Sequence, residues 1–99
     1  MAQVIWSVRA VEHIQEIGTF IDKDSAFQAR RFVQLIIKQT RQLKTYPRIG
    51  RMIPELCHDS YRELIVFSYR ILYKIVDQKT VAVLAVVHGR RLFDPQWLE

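Results

Sequence analysis

An α+β fold is predicted by two changes of pattern along the 99 residues. Apolar positions recur at three- and four-residue steps as far as about Lys44, and β-branched and aromatic runs replace them from Tyr61 onward. A stretch holding Pro47, Gly50 and Pro54 separates the two regimes, because no helix interior tolerates that composition. The order strand, helix, helix, three strands predicts an N-terminal strand and a two-helix antiparallel hairpin packed on one face of an antiparallel sheet, with a C-terminal three-strand meander. Two helices cover one side only. The other side is expected to be solvated or kept for a partner, with its arginines accessible.

Gln3 to Trp6 is apolar and β-branched and is followed by Ser7, which reads as a strand ending at a helix cap. Ala10, Ile14, Ile17 and Ile21, with Val11 and Phe20 beside them, form the buried stripe of the first helix. Gly18 weakens it slightly. After the polar break at Asp22, Lys23 and Asp24, Ser25 with Gln28 has the form of a capping box. The second helix runs to about Lys44, with Ala29, Phe32, Val33, Ile36, Ile37, Thr40 and Leu43 inward. Residues 46–54 form a loop. Tyr61 to Phe67, Tyr69 to Val76 and Thr80 to Val87 read as antiparallel strands with short breaks between them. The tail, with Phe93, Pro95 and Trp97, is expected to be a turn or a docked arm.

A chain this short supports one core, so residues 1–99 are taken as a single domain. Its 49% hydrophobic and 25% charged residues exclude a disordered tail. Apolar runs such as Val81 to Val87 are far below the ~20 residues of a membrane span. The opening MAQVIWSVR has no secretory pattern, and a cytoplasmic location is expected. The lone Cys57 has no second thiol for a disulfide or a zinc site, although His58 beside it makes occasional metal scavenging conceivable. No metal or cofactor is expected.

Net charge is +5, which favours an acidic partner, either nucleic acid or an acidic protein segment. The excess is local. Residues 25–54 hold seven bases and no acid, whereas residues 55–99 hold six of each. These bases either solvate the outer face of a helix or form a binding surface.

If Asp77, Gln78 and Lys79 form the last turn, Lys74 lies opposite Ala82, Leu72 opposite Leu84 and Arg70 opposite Val86. Arg70 and His88 then share a face, and Ile71, Tyr73, Ile75, Val81, Val83, Ala85 and Val87 pack on the helices. A guanidinium offers a fork of donors to a phosphate, and an imidazole exchanges protons near neutral pH.

Pro47-Arg48-Ile49-Gly50-Arg51, Pro54-Glu55-Leu56, Tyr61-Arg62-Glu63-Leu64, Tyr69-Arg70-Ile71-Leu72-Tyr73 and Val87-His88-Gly89-Arg90-Arg91, in that order and spacing, closely resemble the RelE/ParE toxin superfamily. The opening strand ending in Trp6-Ser7 and the helix junction at Ser25-Ala26 fit as well. The resemblance implies the toxin of a type II toxin-antitoxin pair, of the plasmid-stabilisation kind, neutralised in a hetero-oligomer by an acidic antitoxin that folds on binding. It implies one of two targets, DNA gyrase in the ParE branch or messenger RNA on the ribosome in the RelE and YoeB branch.

On the nuclease pattern, Glu55 would be general base, Arg70 the phosphate-stabilising cation and His88 general acid, with no metal. Glu55 also has a structural reading as a loop carboxylate paired with Arg62 or Arg70. Gly89 stands where the nuclease pattern has an aromatic, and RelE's dense lysine set has no clear counterpart, so the ParE branch is the closer one. Arg51, Arg62, Arg90 and Arg91 are the residues expected to contact target or antitoxin.

Overall fold

Ser7 joins the first strand, the first helix and the last strand of the computed structural model, which describes residues 1–99. Its Oγ accepts the Ala10 amide at 3.0 Å and donates to the Leu84 carbonyl at 2.9 Å, while its amide donates to the Val83 carbonyl at 2.9 Å. Strand β1 (Gln3–Trp6) therefore stops and helix α1 (Val8–Asp22) starts where a single residue satisfies both ends. Ser25 caps α2 (Ala26–Arg41) by accepting the Gln28 amide at 3.1 Å. The reciprocal half of the expected capping box is not made. The Ser25 amide donates to the Ile21 carbonyl at 3.0 Å and closes the end of α1.

A short 3-10 turn (Gln42–Lys44) extends α2 to the expected end. Strands β2 (Arg51–Met52), β3 (Tyr61–Val66), β4 (Tyr69–Ile75) and β5 (Thr80–His88) follow, then a second 3-10 turn (Pro95–Leu98). The spatial order is β1-β5-β4-β3-β2. The meander is antiparallel as expected, but β1 runs parallel to β5, so the five-stranded sheet is mixed. No tight turn dictates the direction of β1, because both helices and strands β2 to β4 separate it from its partner.

The last hairpin keeps the expected register through Ile75↔Val81, Lys74↔Ala82 and Tyr73↔Val83, then shifts by one residue so that Leu72 faces Ala85, Arg70 faces Val87 and Tyr69 faces His88. Leu84 is the extra residue of this bulge. Successive carbonyls of a regular strand point to opposite edges, yet Ser7 takes those of both Val83 and Leu84. The bulge therefore sits at the helix cap. Its consequence is a correction: Arg70 and His88 lie on opposite faces of the sheet, and Ala85 and Val87 face away from the helices.

The helix face of the sheet buries Ile71, Val83, Val86 and Val66 against Ala10, Phe32 and Ile36, with Tyr73 and Val81 against Ala2 and Leu43. The second face is not open as expected. Leu72, Ala85 and Val87 are covered by Ile53 from the loop after β2 and by Trp97 from the C-terminal arm, with Tyr61, Phe93 and Leu98 at the margin. A chain this small still has apolar residues on both faces to cover, and the loop and tail supply what two helices cannot.

Beyond the end of β1, helix α1 takes over the free edge of β5, where His13 Nδ1 accepts the Val86 amide at 3.1 Å. Burial is the main cause of a His13 pKa below its ordinary 6.5; Glu16 opposes it, Arg91 and Arg9 add to it, and Glu12 opposes it. Protonation would also remove the acceptor at Nδ1. The unfolded chain takes up this proton near pH 6.5 and the folded chain only at lower pH, so the stabilisation is complete above that value and lost as pH falls through the window below it. Urea unfolding at successive pH values should show stability declining on acidification from neutral, and His13→Gln should flatten that part of the curve; an unchanged slope would exclude His13 as its source.

Candidate functional site

The loop between α2 and β3 carries most of the residues singled out in the sequence, and Tyr73 holds it. The buried Tyr73 hydroxyl donates to the Pro47 carbonyl at 2.7 Å and accepts the Gly50 amide at 3.0 Å, and burial pushes its pKa up. Gly50 lies so close that a Cβ there would meet the Tyr73 hydroxyl at 2.7 Å as well as the Glu63 carbonyl oxygen, so only glycine lets the loop pass. Arg51 and Met52 then pair with Glu63 and Arg62 of β3, and Ile53 donates its amide to Tyr61 at 3.1 Å before the chain turns. Cys57 adopts φ 50, in the left-handed region, with its amide on the Ile53 carbonyl at 2.9 Å. That turn carries Glu55 back over β4.

Four alternating charges meet there. Arg51 Nε donates to Glu63 Oε2 at 2.6 Å, and Arg70 Nε donates to Glu63 Oε1 at 2.7 Å. The Arg70 fork holds Glu55 in bidentate fashion, Nη1 to Oε2 at 2.9 Å and Nη2 to Oε1 at 2.7 Å. The Glu63 side chain is fully buried and Arg70 is only 7% exposed, with the Phe93 ring 5.8 Å from its guanidinium carbon. The hydrogen bonds from Arg70 are the main reason that Glu55 is held below the usual carboxylate range, and the same contacts, Glu55 first, raise Arg70. A second set lies alongside, where Asp59 binds Arg48 at 2.6 Å and Arg62 at 2.8 Å and is pushed down to about 2, chiefly by Arg48. Arg62 also donates to the Gly50 carbonyl at 2.8 Å.

Of the three residues expected from the nuclease pattern, Glu55 and Arg70 meet and His88 does not join them. His88 lies on the helix face, its ring 5.3 Å from that of Tyr69 and its Nδ1 accepting the Arg90 amide at 3.1 Å. Arg70 is enclosed by carboxylates, which corrects the expectation of an accessible cation. A carboxylate held down by a guanidinium is also a weaker proton acceptor than a general base requires. Arg51 and Arg62 fasten the loop, and Arg91 packs with its guanidinium carbon 5.1 Å from the Trp97 ring; the Arg90 side chain is exposed.

Glu63 was missed as a functional residue, because strand alternation between Arg62 and Leu64 does not reveal a buried carboxylate. Its register opposite Leu72, diagonal to Arg70, is what reveals it.

Residues 4–93 match the family model described as ParE toxin of type II toxin-antitoxin system, parDE. The chain belongs to the ParE toxin family. The toxin candidate Y4kP of Sinorhizobium fredii is 34% identical to this ParE-family chain over 97 residues, covering 96% of the chain and 92% of the relative. Toxin RelE2 of Caulobacter vibrioides is 29% identical, covering 93% and 100%, and toxin ParE1 of Mycobacterium tuberculosis is 27% identical, covering 90% and 91%. A solved structure from the chromosomal ParDE TA system of P. aeruginosa superposes with a TM-score of 0.71 at 19% identity, over 89% of this chain and 96% of that one, which shows that the ParE-family fold is shared.

Within the ParE-family chain, the two carboxylates around Arg70 differ in burial, and their removal should differ accordingly. Glu63→Ala strands Arg70 without its buried partner and should cost about 3–5 kcal/mol in urea unfolding. Glu55→Ala, which removes an exposed partner, should cost about 1 kcal/mol. Equal losses would mean that the burial of Glu63 is not what matters.

Proposed function

We propose that this type II toxin inhibits DNA gyrase and is neutralised in the cytoplasm by a cognate antitoxin through an acidic segment that orders on binding. The observation that carries the gyrase reading over ribosome-dependent cleavage of messenger RNA is the state of Arg70. Both edges of its guanidinium are taken by Glu55 and Glu63, and His88 is on the far side of the sheet. A nuclease transition state needs donors free to meet developing charge and a proton donor beside the leaving oxygen. A toxin that acts by binding needs neither.

The antitoxin reading is supported by an open cleft of about 610 Å³ between α1 and α2, lined by Ile14, Gly18, Ala29, Arg30 and Val33, with Phe20 and Phe27 exposed on these helices. No helix is long and apolar enough to cross a membrane. An extended acidic segment that buries apolar side chains while meeting the basic charge suits such a surface.

Induction in cells should produce DNA breaks and an SOS response while messages stay intact, and Glu55→Gln and His88→Gln should leave that effect unchanged. Message cleavage lost in either variant would replace this reading with the ribonuclease one. Co-expression of the neighbouring reading frame should restore growth; equal growth with and without it would remove the antitoxin from the proposal.

A further inference from the structure

The solvent side of α2 carries Arg30, Arg31, Lys38 and Arg41, continued by Lys44 in the following turn, and all five are exposed. The buried positions Ala29, Phe32, Ile36 and Thr40 occupy the opposite side of the same helix. All five cations are absent from the ion pairs, which use Arg48, Arg51, Arg62 and Arg70 instead. The positive charge of the middle third thus divides in two. Cations of the loop are neutralised internally, and those of α2 face water.

We propose that this row on α2 binds the sugar-phosphate backbone of duplex DNA directly. From Arg30 to Lys44 it spans about 20 Å at ~1.5 Å per residue. Over that length a duplex presents one phosphate charge per ~1.7 Å of axis, so a straight row of cations meets many phosphates without bending either partner. Arg31 is already placed, with its guanidinium carbon 6.0 Å from the centre of the Phe67 ring at the β3–β4 turn. Single strands are gripped largely through successive aromatic platforms, and the row has only Phe27 and Phe67 beside it, both near its Arg30–Arg31 end, with none along Lys38 to Lys44. An amphipathic partner helix needs apolar anchors three or four residues apart, whereas the exposed apolar residues Phe27 and Ile37 of this side are ten positions apart. Charge without apolar anchors matches a phosphate backbone.

The proposal does not depend on gyrase as the target: DNA binding in a toxin that spares gyrase leaves it intact, and gyrase inhibition by a toxin that does not bind DNA overturns it. The test is fluorescence anisotropy of the purified chain with a short labelled duplex of arbitrary sequence, titrated from about 50 to 200 mM salt. Lys38→Gln/Arg41→Gln should weaken binding more than about tenfold at 0.1 M salt and reduce the log–log salt slope by about 1.8, since each lost phosphate contact removes about 0.9. Lys23→Gln/Lys79→Gln removes two exposed bases elsewhere and should leave both quantities unchanged. Thermal unfolding of each variant confirms that only the surface has changed. Equal loss in both variants, no loss in the α2 variant, tighter binding of single-stranded RNA, or displacement of the duplex by polyglutamate at lower charge concentration would each overturn the proposal.

Discussion

Glu63 has no contact with water and is opposed by two guanidinium groups, and the arrangement of the second sheet face depends on that contact. Removing a carboxylate from solvent is costly unless geometry and hydrogen bonding offset it, so the position tolerates only a narrow set of surroundings. Arg51 supplies one side and thereby sets β2 against β3. Arg70 supplies the other and draws Glu55, and with it the turn at Cys57, over the sheet. Phe93 packs by the same guanidinium and leads into the arm that seats Trp97. Loop, sheet and tail meet at one buried charge. What such a contact contributes is placement more than net stability.

Much of the fold was legible because it follows from periods. The stripe of α1, the inward side of α2 and the three late strands are local patterns, and their elements lie within about a residue of where spacing puts them. Val11, Phe20 and Ile37, expected on the inward sides, face solvent instead, because they sit at the margins of those stripes where no sheet residue covers them. What was not legible depends on contacts distant in sequence. Leu84 looks like any strand residue; the bulge exists because Ser7, 77 residues earlier, binds its carbonyl. That one residue moved His88 to the other face and took apart the expected Arg70–His88 pair. The covering of the second face by Ile53 and Trp97 was equally hidden, since a loop and a tail carry no periodicity. Glu55 and Arg70 did come together, because the loop reading already allowed that pairing.

The distribution of charge separates two kinds of arginine that composition counts alike. Those on the loop, β3 and β4 are structural, paired at 2.6 to 2.9 Å with carboxylates. Fork geometry matters to them, and lysine would not reproduce it. Those on α2 make no such pairs, and their contribution to the field around the molecule is correspondingly larger. A toxin built this way keeps a rigid, internally neutral face and a separate electropositive one.

The sheet is also finished unequally at its margins. On one side β1 has four residues, and where it ends Ser7 and His13 satisfy the exposed backbone of β5. On the other, β2 has only two, leaving the far half of β3 without a neighbour and Ile65 exposed. Unpaired strand margins invite self-templating, and shortness is among the ways proteins blunt them. Another chain adding to this sheet would meet only short margins, two residues of β2, four of β1 or the open stretch Leu64 to Val66, each too brief to hold a foreign strand in register by backbone contacts alone.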